Sequence, residues 1–257
     1  MNAETTSLAP ANSTRGEWGQ YASFLKRPKL PDRAPMPRPA SLGAVFRLFA
    51  LDLVLMSALL AIAGAVMATG VDVPETALAG MEIGGGILFA VVVVAPLAEE
   101  IIFRGWLSGR PGHLLALIAF GIGAIGFTTI LAATGFSYGT DALESGLAGM
   151  GLGIIGGALI ALATVFLLRK RDAMGWFQRF FPLFFWLSTL AFSLVHLFNF
   201  PVEQMAMALP LVLPQFVTGT MLGYLRVNYG LWASILLHMM HNGAFISLVL
   251  LAGSAGA

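Results

Sequence analysis

Three ionisable residues within six positions, Glu99, Glu100 and Arg104, interrupt a run that is otherwise apolar from about Gly85 to Leu107. A window that apolar reads as a membrane-spanning helix. Each ionisable group near the centre of such a helix costs about 2.5–3.5 kcal/mol on insertion scales. Three of them facing lipid would come close to preventing insertion, so they are expected to face protein, a water-filled cavity or one another. Glu100 and Arg104 are four apart and share a helical face, where they can pair. Glu99 is turned from Glu100 by roughly 100° and is left available for chemistry. The alternative is a structural salt bridge with a helix end that reaches the membrane interface.

The rest of the chain fits a membrane setting. Of 257 residues, 58% are hydrophobic and 11% charged, with mean hydropathy +0.84, against about 25% charged in soluble domains. The net charge of +1 and the lack of a basic stripe with interleaved aromatics give no sign of a nucleic-acid partner. Cysteine is absent, which excludes disulfides, thiolate metal sites and a cysteine nucleophile.

Residues 1–41 are polar, basic and proline-rich, and read as a disordered cytoplasmic tail whose Lys and Arg residues can touch anionic lipid headgroups. A weak amphipathic turn from Trp18 to Phe24 can sit at the membrane surface. Residues 42–257 read as one transmembrane domain. Its seven apolar windows lie at about 44–69, 85–107, 112–134, 147–168, 180–200, 204–226 and 230–252. The expected fold is therefore all-α, a polytopic bundle of about seven transmembrane helices. All 14 Lys and Arg residues fall in the tail, in alternate loops or near same-side helix ends. By the positive-inside rule the N-terminus is expected in the cytoplasm and the C-terminus outside. Gly149, Gly153 and Gly157 form a small-residue stripe that lets helices approach closely, with Gly121 and Gly126 as candidate counterparts.

Other polar groups lie in the apolar windows. Helix five carries His196 and Asn199, and helix seven carries His238, His241 and Asn242. Each needs a partner in a low-dielectric setting. Together with the two glutamates and Arg104 they make a shared site the natural reading. The constellation suits hydrolysis. A glutamate in an apolar cavity is a competent general base for water, and an opposed histidine can share that water or protonate the leaving amine. Imidazole and asparagine N–H groups can stabilise an oxyanion. No His-Glu-x-x-His motif occurs, and Asp52 is the only aspartate in the spans.

Glu99-Glu100-x-x-x-Arg104, Phe192-x-x-x-His196 and His238-x-x-x-Asn242 resemble the three main motifs of the CPBP family, the type 2 CAAX prenyl endopeptidases and the related bacteriocin-processing and immunity proteins. Gly219-x-x-x-Gly223-Tyr224-Leu225-Arg226 resembles the segment before the last motif. The likeness covers about residues 85–250. It implies a glutamate-dependent intramembrane endopeptidase, expected to act near the cytoplasmic face on a peptide or lipidated protein substrate; the compact single-domain design with a short tail suggests the plasma membrane of a prokaryote. By that resemblance Glu99 activates water with His196, while His238 and Asn242 form the oxyanion site. Glu100, Arg104 and Phe192 position these groups and the substrate. No cofactor is implied, although the same motifs can be drawn as ligands of a metal such as zinc, and His241 keeps that drawing open. The other reading is a polytopic protein without protease activity, a proton-coupled transporter or an immunity or binding protein, built on the same buried cluster.

One count conflicts with a shared site. Glu99 and His238 lie roughly 12 Å from the cytoplasmic ends of their helices, whereas His196 falls nearer the outside. Either helix five starts later, after Pro182, or it tilts and enters a cavity.

Overall fold

A computed structural model describes residues 10–31, 38–76, 83–135, 137 and 142–255. These are mostly helical, with no strand among them, and seven stretches are long and apolar enough to cross a membrane. The spans run Pro39–Met67, Gly85–Ser108, Pro111–Ala133, Glu144–Leu167, Phe181–Asn199, Val202–Asn228 and Leu231–Leu251. Large apolar side chains such as Ile62, Ile122 and Leu162 point outward, as a hydrocarbon solvent permits. The loop residues Glu82 and Asp141 lie outside the described residues, as do tail residues 1–9 and 32–37.

The chain forms two compact units where the sequence reads one membrane domain. One comprises residues 1–107 and 179–257, the other residues 108–178. The smaller unit is a hairpin of α5 (Pro111–Ala133) and α6 (Ala142–Leu167). Its register follows from glycine contacts: a Cβ on Gly153 would overlap Thr128, and one on Gly157 would lie 2.5 Å from the Phe120 carbonyl oxygen. The partner across the seam is Gly123, whose Cβ would meet the Gly157 Cα at 3.0 Å, and not Gly121 or Gly126, which face open space. A small-residue seam of this kind brings two backbones together without a hydrophobic drive.

The larger unit begins with a correction to the tail. Thr14–Lys26 is a helix, α1, and it is packed. Ser13 caps it by accepting the Gly16 N–H at 3.1 Å, with Glu17 in the first turn and Lys26 in the last. Its stripe of Trp18, Tyr21 and Phe24 faces inward, so the amphipathic turn is an anchor within the protein and not a surface float. The Trp18 indole donates to the Arg47 carbonyl at 2.7 Å in α2 (Pro39–Met67), and the Phe24 ring meets Phe185 and Tyr224 edge-on.

The second span is α3 (Gly85–Phe89), a π-helical turn at Ala90–Val94, and α4 (Ala95–Arg104). Pro96 explains part of the irregularity. In the i→i+5 pattern its missing N–H would have served the Val91 carbonyl. That oxygen instead accepts the Asn242 side-chain amide at 2.9 Å. After the short helix α7 (Gly175–Arg179) comes α8 (Phe181–Val195), which ends in a 3₁₀ turn at His196–Asn199.

The sixth span is not one helix. Pro201 precedes it, and with Pro210 and Pro214 at the starts of later turns it falls into 3₁₀ turns, α9 (Met205–Ala208) and α10 (Leu213–Asn228). A turn then joins α10 to α11 (Leu231–Ala255). Gly230 sits there at φ +105°, a conformation that a side chain would strain. The Tyr229 and Gly230 amides both return to the Leu225 carbonyl, closing the end of α10.

Candidate active site

Every site residue taken from the sequence lies in the larger unit, on α4, α8 with the 3₁₀ turn that ends it, and α11. Glu100 and Arg104 are fully buried and paired, with Arg104 Nη1 donating to Glu100 Oε1 at 2.9 Å. The Arg104 guanidinium lies over the Phe192 ring at 3.8 Å, a desolvated cation–π contact. The end of α4 is itself held. Arg226 of α10 donates to the Arg104 carbonyl at 2.8 Å and to the Gly105 carbonyl at 2.9 Å. A cation on these last carbonyls satisfies groups that a helix end leaves unpaired.

His238 spans the two acids. Its Nδ1 is 3.0 Å from Glu100 Oε1, and its Nε2 is 3.7 Å from Glu99 Oε2. Glu100, ion-paired to Arg104, can only accept, so His238 Nδ1 carries the proton that faces it. Ser234, one turn earlier on α11, also bears on Glu100, although its hydroxyl donates to the Leu231 carbonyl at 3.0 Å. His196 follows the same logic. Its Nδ1 is 2.7 Å from the Phe192 carbonyl, an acceptor, which leaves Nε2 of the neutral ring with its lone pair free. The Phe192 ring separates the two imidazoles, 4.8 Å from His196 and 5.5 Å from His238, both edge-on.

The depth conflict for His196 dissolves in the packing of α4 against α8. Trp106 meets Phe184, the Ser188 hydroxyl donates to the Phe103 carbonyl at 2.6 Å, and Phe103 meets Phe192 at 5.5 Å. The two helices run antiparallel. One turn beyond Phe103 lies Glu99, and one turn beyond Phe192 lies His196, whose ring feels the Glu99, His238 and Arg104 charges. Helix five starts at Phe181, before Pro182 and not after it, and the offset along α4 brings His196 beside Glu99.

Asn242 stands apart from this arrangement in one respect. One of its amide N–H groups is committed to the Val91 carbonyl, so only the second is free for another acceptor. The π-turn and the asparagine hold each other, a pattern common where helices carry function.

His241 has a partner that the sequence did not indicate. Its Nδ1 is 2.7 Å from Asp52 Oδ2, while Asp52 Oδ1 accepts the Thr218 hydroxyl at 3.0 Å. The one available signal was Asp52 itself, an acid in a 29-residue apolar helix that had to find a donor. Among the described residues, no three His, Asp or Glu side chains are grouped as they would be around a metal ion.

The family model for type II CAAX prenyl endopeptidase Rce1-like proteins matches residues 85–244. The chain belongs to that family. No curated protein and no solved structure matches it, so the assignment rests on this model. The matched segment contains all seven residues of the site and makes the chain a multi-pass membrane protein of an intramembrane protease family. It leaves α1 and α2 outside, and with them Glu17 and Asp52.

Proposed function

We propose that this protein is an intramembrane endopeptidase that hydrolyses peptide bonds of membrane-associated substrates near the cytoplasmic face, with Glu99 as the base. The observation that carries the reading is Glu99 Oε2. It is buried without a hydrogen-bond partner, 3.7 Å from His238 Nε2 and beside a Glu100 already committed to Arg104. A separation of 3.7 Å is too long for a direct hydrogen bond and suits two groups sharing one water.

Charge balance supports the division of labour. Glu99, Glu100 and Arg104, all ionised, leave one negative charge in a buried cluster. A single proton on the His238–Glu99 pair neutralises it. With that proton on His238, Glu99 is a base and His238 Nε2–H is an oxyanion donor. Glu99 then takes a proton from water, with His196 Nε2 accepting the water's other hydrogen bond. The oxygen attacks the scissile carbonyl carbon, and the resulting oxyanion meets His238 Nε2–H and the second amide N–H of Asn242. As the C–N bond breaks, Glu99 returns its proton to the leaving amine. Glu100 and Arg104 fix His238, and Phe192 keeps the two imidazoles apart.

The Lys and Arg distribution supports a cytoplasmic N-terminus, and the proposed setting is a prokaryotic plasma membrane with lipid and a peptide or lipidated protein as partners. The test is cleavage of a prenylated peptide ending in a CAAX sequence by the purified protein, set against Glu99→Gln and His196→Ala with and without a strong chelator. Loss in both variants and indifference to chelator is the expected result. Loss to chelator with recovery on adding zinc moves the same residues into a metal shell. Absence of cleavage by the wild type overturns the endopeptidase reading in favour of a transport or binding role.

A further inference from the structure

α10 faces α8 through a ladder of close approaches. A Cβ on Gly223 would lie 2.7 Å from the Phe185 ring. One turn on, a Cβ on Gly219 would meet Phe192 at 3.1 Å, Arg104 Nη2 at 3.2 Å and Thr189 at 3.3 Å. Further along, the Ser193 hydroxyl donates to the Val212 carbonyl at 2.8 Å. Gln215 lies between these rungs, four residues before Gly219 and on the same face. That register places it level with the end of α8, where His196 enters the site.

Gln215 Oε1 is buried and has no hydrogen-bond partner, and the same is true of Arg104 Nη2. A buried amide oxygen without a donor is costly, and native folds rarely keep one idle. Gly219 touches Arg104 Nη2, so this unpaired acceptor and unpaired donor stand about one turn of α10 apart. The group that satisfies both is an extended peptide backbone, which presents the N–H and C=O of one residue to the same side.

We propose that Gln215 is a substrate-positioning residue that binds the substrate main chain, its side-chain oxygen accepting a peptide N–H next to the scissile bond while Arg104 Nη2 donates to a neighbouring carbonyl. The inference rests on the endopeptidase reading and adds to it a way to hold any sequence in extended form. Specificity is then left to contacts beyond the main chain. No bond is made or broken at Gln215, and its effect is on binding and register.

The experiment uses the full chain in detergent micelles and a prenylated CAAX peptide, together with analogues N-methylated at one backbone nitrogen at a time on either side of the cleaved bond. Gln215→Leu and the volume-matched Gln215→Met are compared with the wild type, and thermal unfolding confirms that each is folded. The expected result is a KM raised about tenfold with kcat within about twofold, the size of one lost hydrogen bond. One N-methyl analogue should suffer the same penalty with the wild type and no further penalty with either variant. That non-additivity is a readout that a merely structural glutamine would not give. Equal penalties for every analogue in both proteins, or an unchanged KM, overturn the inference while leaving Glu99 in its role. Failure of the wild type to cleave any of these peptides overturns the endopeptidase reading and this inference with it.

Discussion

The larger unit buries carboxylates in two kinds of setting. Glu17 and Asp52 are fully engaged. Glu17 Oε1 accepts Tyr229 at 2.7 Å and Tyr224 at 3.0 Å, while Oε2 accepts the Ala11 amide at 3.1 Å. Asp52 spends one oxygen on His241 and the other on Thr218. Glu99 and Glu100 each keep a buried oxygen without a partner, and Arg104 keeps a nitrogen in the same condition. Glu17, Asp52 and Glu100 are fully buried and Glu99 partly so, and what separates the two settings is satisfaction. A saturated acid fixes helices relative to one another, whereas an unsaturated cluster is held ready for groups that arrive from outside. The family model divides the chain along the same line, with the saturated Glu17 and Asp52 before residue 85 and the unsaturated cluster after it.

Substitutions can break this comparison. The largest effect is expected at Glu99→Gln, which keeps shape and removes the base. Cleavage should fall by about 10²–10⁴-fold with the unfolding midpoint unchanged, and near-normal turnover would remove Glu99 from the mechanism. Arg104→Ala should damage both properties. It strands Glu100 and His238, at about 3–5 kcal/mol for a buried pair broken on one side, and the readouts are thermal unfolding and cleavage. A folded, active variant would make the ion pair incidental.

Asp52→Asn tests the saturated kind. It weakens the His241 and Thr218 contacts and should lower stability by about 1–3 kcal/mol, while cleavage by the folded fraction stays within a few-fold of the wild type. A selective loss of turnover would place Asp52 and His241 in the reaction. The smallest effect sharpens the contrast at α1. Burial raises the Tyr21 phenol to about 12, against the pull of its Thr220 hydrogen bond, and burial with the Glu17 contact raises Tyr229 as well. Released from the fold, tyrosine ionises near 10. The unfolded state therefore binds fewer protons than the native state above pH 10, and stability must fall as pH rises from there towards 12. Trp18 fluorescence should report loosening of α1 in that window, and Tyr21→Phe should reduce its slope.

What could be read from the sequence follows from how locally each feature is encoded. The Glu100–Arg104 pair is one helical turn, and the three motifs name their own residues by fixed spacing. The seven spans follow from length and apolarity. The role of α1 could not be read, because Glu17 meets Tyr224 and Tyr229 across 207 and 212 positions. Without those partners a basic, proline-rich segment has the composition of a disordered one. His241 and Asp52 are 189 apart and were equally silent. Depth along helix five was misjudged because a residue count assumes parallel axes and equal starting planes. The packing of Phe184, Ser188 and Phe192 on α4 sets the true offset.

The π-turn at Ala90–Val94 carries one consequence further. Such a turn is a surplus of one residue in an α-helix, so the segments on either side of it are out of phase by about 100°. The four consecutive valines from Val91 to Val94 are chemically interchangeable, which makes the number of them the quantity that matters. Deleting one would restore a regular helix and swing the two glutamates relative to the lipid-facing half of the same span. No residue of the site would have changed. The active site of this protein is thus specified partly by a length, and a single-codon deletion in a featureless apolar run should silence it as surely as the loss of Glu99.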